Sequence, residues 1–425
     1  MKKLTLFTFL FVVPGYASAI YTEFNGYLRT GVGVHERGGP EDCLNNPGAW
    51  GNEFRIGNEC DTYGETTFNF MESKETVTWK AVTTFTYQSK GLFDFETSDS
   101  ANGVNPWVIR EAYVEGALNA EWSVWAGKRF YRWGDIYFID FFPIDMSGPG
   151  AGATYKFSDN SKFKVAFMRN AKYDATTTTA SGPDIGRTNK NTLHLQYEEI
   201  PMGPGKSSFW GILGMTPHAE KEDLTAHYKD AYGGLLAAKY EVPWGKVQHE
   251  FAYAYGQGVM SSFGPSGDLV SDCTDDALAA CTVTNSKRQR AWWETVRDSG
   301  TDYSWETAVV YDHFDTGTSQ DSLQKWLSVG GMFLYHQTEK LSWMAMLGSS
   351  SVTNESDNFG TRNLWRVTVG PEFRWKGGIW NRPLIRTFVS HTGWNNNLKN
   401  STYLSAPHKG YNMSTHVGVQ AEVWF

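Results

Sequence analysis

After its first nineteen residues this chain of 425 residues has no apolar run long enough to cross a bilayer as a helix, and its mean hydropathy is −0.44. A bundle of membrane helices is therefore excluded. Basic runs are missing too: the net charge is −8, and the only cluster is the short "SKRQR" at 286–290, which argues against nucleic acid as a partner. No G-x-S-x-G, H-E-x-x-H or P-loop occurs. "GPGAGA" at 148–153 has the glycines of a phosphate loop but not the following Lys-Ser/Thr. Cysteines number four, which can pair in three ways, and proximity favours Cys43 with Cys60 and Cys273 with Cys281. Neither pair forms a C-x-x-C or lies beside histidines, so metal binding is the minor reading, and no cofactor is indicated.

What the chain does have is an export signal and an excess of rings. "MKKLTLFTFLFVVPGYASA" places Lys2 and Lys3 before an apolar run, a Pro14-Gly15 break and an A-x-A site, which predicts a signal peptide over 1–19. A membrane-anchoring helix is the weaker reading, because the run is too short to span. Aromatic residues make up 15% of the chain, with 18 Trp. A transmembrane β-barrel reconciles this with low hydropathy, because alternate residues face lipid and water while rings form girdles at both interfaces.

The alternation is legible. Phe24, Leu28, Val32 and Val34 share one parity against Asn25, Tyr27 and Arg29; Phe68 and Phe70 oppose Tyr63, Glu65, Thr67 and Asn69. At the end of the chain Val417, Val419, Ala421, Val423 and Phe425 oppose His416, Gln420, Glu422 and Trp424. Further strands are predicted near 79–88, 192–199, 207–215, 232–241, 248–256, 304–311, 324–335, 340–348, 364–375 and 384–392. Turn-rich stretches between them, including all of 258–290, read as extracellular loops. Residues 20–425 form one domain of roughly 16 to 18 strands. A soluble propeller or sandwich also alternates, but leaves the export signal, the ring excess and the terminal Phe425 unexplained.

On the predicted lumen face, rings stand beside charges: Tyr27 with Arg29, Tyr63 with Glu65, Trp380 in phase with Arg382 and Arg386, and Trp424 with Glu422. Rings pack against the C–H faces of sugars while charged groups replace water around the hydroxyls. Asp135 and Asp140 could be the carboxyl pair of a glycoside hydrolase, but nothing singles out one as the acid, and they read better as polar lining. The protein is expected not to be an enzyme.

Several separated blocks resemble the maltoporin (LamB-type) sugar porins: "GYLRTGVGV" at 26–34, "RIGNECDTYGE" at 55–65, "IREAYVEG" at 109–116, "WAGKRFY" through "SGPGAG" within 125–152, "IWNRPLIR" at 379–386 and the closing "AEVWF". The resemblance implies a homotrimer of 18-stranded antiparallel barrels in the outer membrane of a Gram-negative bacterium, with a third loop folded inward, passing maltose and maltodextrins. It places an aromatic slide on Tyr27, Tyr63, Trp380 and Trp424, and a polar track on Arg29, Arg55, Glu65, Arg110, Asp135 and Asp140. Cys43 and Cys60 occupy the family's first-loop disulfide. The constriction departs from the family: Trp133, Tyr137 and Phe142 stand where an Arg, a His and a Tyr are usual. Arg132 is adjacent to the missing cation, but strand parity would point it elsewhere. Leu236 aligns with a slide Phe, and Phe93 and Phe95 are candidates for the ring a neighbouring subunit contributes. The implied function is passive sugar diffusion; porins for sucrose or aryl-β-glucosides and general diffusion porins are the alternatives.

Overall fold

The structure is a computed structural model that describes residues 20–39, 43–51, 53–74, 77–89, 107–172, 188–216, 219–220, 227–228, 230–265, 283–317, 322–404 and 408–425. Residues 1–19, expected to be a signal peptide, and Cys273, Cys281, Phe93 and Phe95 lie outside them.

Eighteen antiparallel strands form a single sheet. It closes because the first strand, Ile20–His35, pairs on one side with Thr62–Lys74 and on the other with the last, Met413–Trp424. Closure follows from the solvent: hydrocarbon offers backbone N–H and C=O groups no partner, so a sheet in it can have no edge. The predicted parity holds along the wall. Phe24, Val32, Val34, Phe70, Val417 and Val419 point outward and are exposed, whereas Arg29, His35, Asn69, His416, Gln420 and Glu422 are buried inside. In Leu341–Asn354 and Tyr303–Asp315 exposure alternates residue by residue over most of the strand.

Strands absent from the sequence reading are Trp107–Ala117, Trp122–Arg129, Gly148–Lys156, Lys162–Lys172 and Lys287–Arg297. The first four fall in the blocks around the constriction, where charge and glycine blur the period. "GPGAGATYK" looks like a turn, but its glycines serve close packing: a Cβ on Gly150 would stand 2.4 Å from the Phe167 carbonyl oxygen. "KRQRAWWETVR" begins inside the stretch 258–290 that reads as a loop. It is a strand because Arg288 and Arg290 turn inward onto Asp312, at 2.9 and 2.6 Å.

A barrel this wide would leave a large lumen, and two long connections on the same end fold into it. Residues 43–61, closed by the Cys43–Cys60 disulfide, pack against the wall through Phe54 and Ile56, both fully buried. Gly348 makes room, since a Cβ there would lie 1.8 Å from the Phe54 ring. Polar contacts finish the seat: Arg366 donates to the carbonyls of Leu44 and Glu53 at 2.7 Å each, and Thr368 donates to that of Ile56 at 3.0 Å. The second inward connection, residues 130–147, stacks Phe138 on Phe54 at 6.3 Å.

The Glu53 carboxyl is fully buried beneath the first loop, accepting from the Asn46 N–H at 2.9 Å and the Trp326 indole at 3.3 Å. Loss of water raises its pKa to about 7, against those hydrogen bonds. A carboxyl with a raised folded value holds the loop best when protonated, so the seat weakens as pH rises from the ordinary value of 4.5 to about 7, by an amount on the order of a few kcal/mol. Hydrogen-exchange protection over residues 43–61 is expected to fall between about pH 4.5 and 7 and to be flat in Glu53→Gln. Equal protection in both proteins across that range would contradict this.

Candidate functional site

The inward hairpin of residues 130–147 is built from local chemistry. Arg132–Trp133 pairs with Ile144–Asp145 as a short ladder, and Ile136 bridges Phe141. Gly134 adopts φ 73°, and a Cβ there would meet Pro143 at 2.7 Å. At the tip a single turn, Tyr137–Ile139, ends at Asp140 in the left-handed region, which Asp tolerates better than most residues. That reversal sends Asp140 toward Arg29, at 3.5 Å, and Phe141 back onto Trp326, at 5.2 Å.

Four anchors hold the tip across the lumen. The Arg55 N–H donates to the Phe138 carbonyl at 2.9 Å, and the Phe138 N–H to Glu306 at 3.4 Å. The Arg290 guanidinium donates to the Pro143 carbonyl. The Tyr137 hydroxyl donates to Glu422 at 2.8 Å while accepting from Arg382 at 2.6 Å.

Between this hairpin and the wall lies a cavity of about 530 Å³, lined by Tyr27, Tyr63, Tyr137, Phe142 and Trp424 among charged side chains. The sequence-predicted rings come together in two pairs. Tyr27 and Tyr63 lie 6.0 Å apart, and Trp380 stacks on Trp424 at 6.2 Å. Tyr137 stands edge-on to Trp380 and Trp424, at 5.6 and 6.4 Å. All of Arg29, Arg55, Glu65, Arg110, Asp135 and Asp140 line this same cavity.

The ion pairs behind the rings set their positions. Arg29 binds Glu59 and Asp61 at 2.5 and 3.0 Å, and Arg55 shares Glu59 at 2.7 Å. Arg55 also donates to the Tyr27 hydroxyl at 2.6 Å, which passes its own proton toward Glu422 at 3.1 Å. Glu422 is the hub, with Arg386 at 2.6 Å and Arg382 at 3.0 Å. Tyr63 donates to Glu65 and accepts from Arg110 at 3.5 Å. Asp135 differs: it is exposed to the cavity and makes no hydrogen bond or ion pair among the described residues. Protein atoms around it displace water and Asp140 adds repulsion, so its carboxyl titrates above the usual carboxylate range, against the pull of Arg55 and Arg132.

Parity misplaces the two residues before Gly134. Trp133 points away from the cavity: it packs on Trp210 at 5.3 Å, donates to Glu198 at 3.1 Å, and is buried. Arg132, expected to face elsewhere, lines the cavity instead, stacked on Phe130 and Phe142 at 3.9 and 4.2 Å and paired with Asp145 at 3.1 Å. The hairpin has left the wall at this point, so its own two-residue ladder, not the parity of the preceding strand, decides which side chain faces water. Leu236 is 70% exposed on the outer face, where it can touch lipid but not a solute, because Leu235 takes the inward position. Gln88 and Asp145 were not anticipated; Gln88 lies in phase with the inward Thr84 and Thr86, so the alternation of its strand was the available signal.

A closed eighteen-stranded barrel, apolar outside and charged inside, with a loop folded across its lumen, defines a membrane channel of the porin class. The profile of the LamB porin family matches residues 22–425, and the chain belongs to that family. It is an outer-membrane protein of a Gram-negative bacterium. Solved structures to which it is similar include OccAB1 of Acinetobacter baumannii, at 9% identity and TM-score 0.49, covering 95% of this chain and 96% of that one. OpdK of Pseudomonas aeruginosa, solved with vanillate, matches at 9% identity and TM-score 0.48, over 95% and 99%. OmpT of Vibrio cholerae, in a trimer form, matches at 10% identity and TM-score 0.39, over 96% and 100%.

The hub generates a prediction. Glu422→Gln removes the charge facing the buried Arg382 and leaves Arg386, among the described residues, with Glu372 as its ion-pair partner, at 3.3 Å. Breaking one partner of a buried pair costs about 3–5 kcal/mol. The folded barrel should melt at lower temperature in a heat-modifiability assay, and the open-channel current should become noisier as Tyr137 exchanges a charged acceptor for a neutral one. A melting point and current noise equal to wild type would show that the hub does not hold the tip.

Proposed function

We propose that this LamB-family porin is a sugar channel, a homotrimer through which maltose and malto-oligosaccharides diffuse along the rings of Tyr63, Tyr27, Trp424 and Trp380. The carrying observation is the charge balance of the cavity beside those rings: Arg29, Arg55, Arg110 and Arg132 face Glu65, Asp135, Asp140 and Asp145. A lining with equal numbers of both signs favours neither anions nor cations. It suits a neutral solute with many hydroxyls, which finds donors and acceptors at each step while its apolar faces slide over rings. Most of these charges are already paired, so each contact with a passing sugar is weak, as rapid transit requires. Asp135 is the free acceptor. Nothing in this reading needs a chemical step.

A second reading has one observation in its favour. Phe142 stands where the family usually has a hydroxyl, and its ring lines the cavity against Arg132, so this part of the path offers an apolar face. An aryl-bearing glycoside would use that face better than maltose does.

Reconstitution in planar bilayers tests both. Maltotriose is expected to block the ion current, and Tyr63→Ala and Trp380→Ala should each weaken the block by on the order of 1 kcal/mol, the contribution of an aromatic contact. Phe142→Tyr should tighten maltotriose by about 0.5–1.5 kcal/mol, the net for one hydrogen bond. Stronger block by an aryl-β-glucoside than by maltotriose would select the second reading. Current unaffected by any sugar would make the protein a general diffusion porin.

A further inference from the structure

The outer wall carries a feature that solute passage does not use. A trough of about 740 Å³ opens on the lipid-facing side across the strands Thr188–Met202, Gly205–Thr216, Ala231–Trp244 and Val247–Gly258. Its depth comes from two outward positions without side chains. A Cβ on Gly211 would meet nothing nearer than 3.6 Å, and one on Gly234 nothing nearer than 3.8 Å. Neither glycine has a positive φ, so neither backbone conformation nor packing requires the residue. Around them stand Leu193, Leu195, Leu213, Leu236, Tyr232 and Tyr255, all exposed.

The register shows how the trough is ordered. One row of directly paired residues runs Leu193, Leu213, Gly234, Gln257, Lys287, passing from apolar to amide to cation across five strands. Lys287 and Gln257 are exposed on the outer face, and among the described residues neither side chain has a hydrogen-bond or ion-pair partner. Asp315 is opposite Lys287 in the next strand, but its carboxylate accepts from the Gly317 N–H at 2.9 Å and forms no ion pair with Lys287. This row lies toward the long-connection end of the wall, the extracellular side of such barrels. From Tyr232 to Leu236 the trough follows the strand for roughly 13 Å, about half the height of an outer-membrane barrel's apolar band.

We propose that this trough is a binding site for one outer-leaflet lipid, an acyl chain lying over Gly211 and Gly234 and an anionic phosphate headgroup held by Lys287 and Gln257. The bilayer is continuous with this surface. The polarity along the row matches the chain-to-headgroup order of an anionic lipid, and the depth matches one leaflet. The site is independent of the solute the lumen passes.

The test is lipid retention. The porin is reconstituted in dimyristoyl phosphatidylcholine vesicles containing a minor fraction of dimyristoyl phosphatidylglycerol, extracted in mild detergent, and its bound lipids are counted by native mass spectrometry. The wild type should retain phosphatidylglycerol in preference to phosphatidylcholine. Gly211→Leu with Gly234→Leu fills the trough and should reduce retention by about tenfold, since each buried methylene contributes to the hold on a chain. Lys287→Gln, on an exposed side chain that leaves folding intact, should keep lipid bound but lose the preference for phosphatidylglycerol. Undiminished retention in a folded double variant, or an undiminished preference in Lys287→Gln, would overturn the proposal. So would a double variant that dissociates the oligomer with lipid retention unchanged, since the trough would then be a subunit contact.

Discussion

Everything in this protein depends on one requirement: backbone polar groups in hydrocarbon must find partners within the sheet. Pairing of Ile20–His35 with Met413–Trp424 meets it by removing the last edge. Once the sheet is closed, side chains can face only lipid or lumen, and successive residues must alternate between the two. The same condition brings the two ends of the chain together. Tyr27 comes opposite Trp424 and Arg29 opposite Glu422, so residues nearly four hundred positions apart form one side of the pore.

Closure at eighteen strands creates a second problem, since the space inside exceeds what wall side chains can fill. Two loops solve it, and they do so differently. The first buries Phe54 against glycines of the wall, with Ile56 also fully buried, and behaves like a small hydrophobic core. The second crosses the lumen and must stay partly wet, so it is held largely by charged groups: Arg290 and Arg382 donate to a carbonyl and a hydroxyl, Glu422 and Glu306 accept, and the Arg55 backbone N–H takes the Phe138 carbonyl. Buried ion pairs contribute little to net stability compared with apolar replacements. Here they do something apolar residues cannot, which is to fix a hairpin beside a water-filled path.

That arrangement joins structure to transport. Arg29 and Arg55, which belong to the network that positions the rings, also form part of the polar lining, so the path and its scaffold share residues. Arg55 orients Tyr27, and Tyr27 and Tyr137 share Glu422. A substitution in this network therefore alters the rings and the charge pattern together. The outer wall is free of this coupling, which is why a trough in it can be assigned to lipid without reference to the solute.

The alternation of residues, the ring excess and the separated blocks from "GYLRTGVGV" to "AEVWF" were enough, by themselves, to determine a lipid-facing barrel, its family, and the membership of Tyr27, Tyr63, Trp424 and the six polar-track residues in one cavity. Period-two patterning survives in sequence because each wall residue answers to a local solvent on one side. Where the chain leaves the wall that rule lapses. Whether Arg132 or Trp133 faced the cavity, whether "GPGAGATYK" was turn or strand, and which side of the wall Leu236 occupied were decided only by tertiary structure. The hairpin's own ladder, the close approach of neighbouring strands and the absolute register of a diverged strand are set by contacts between residues far apart in the chain, and no local period records them.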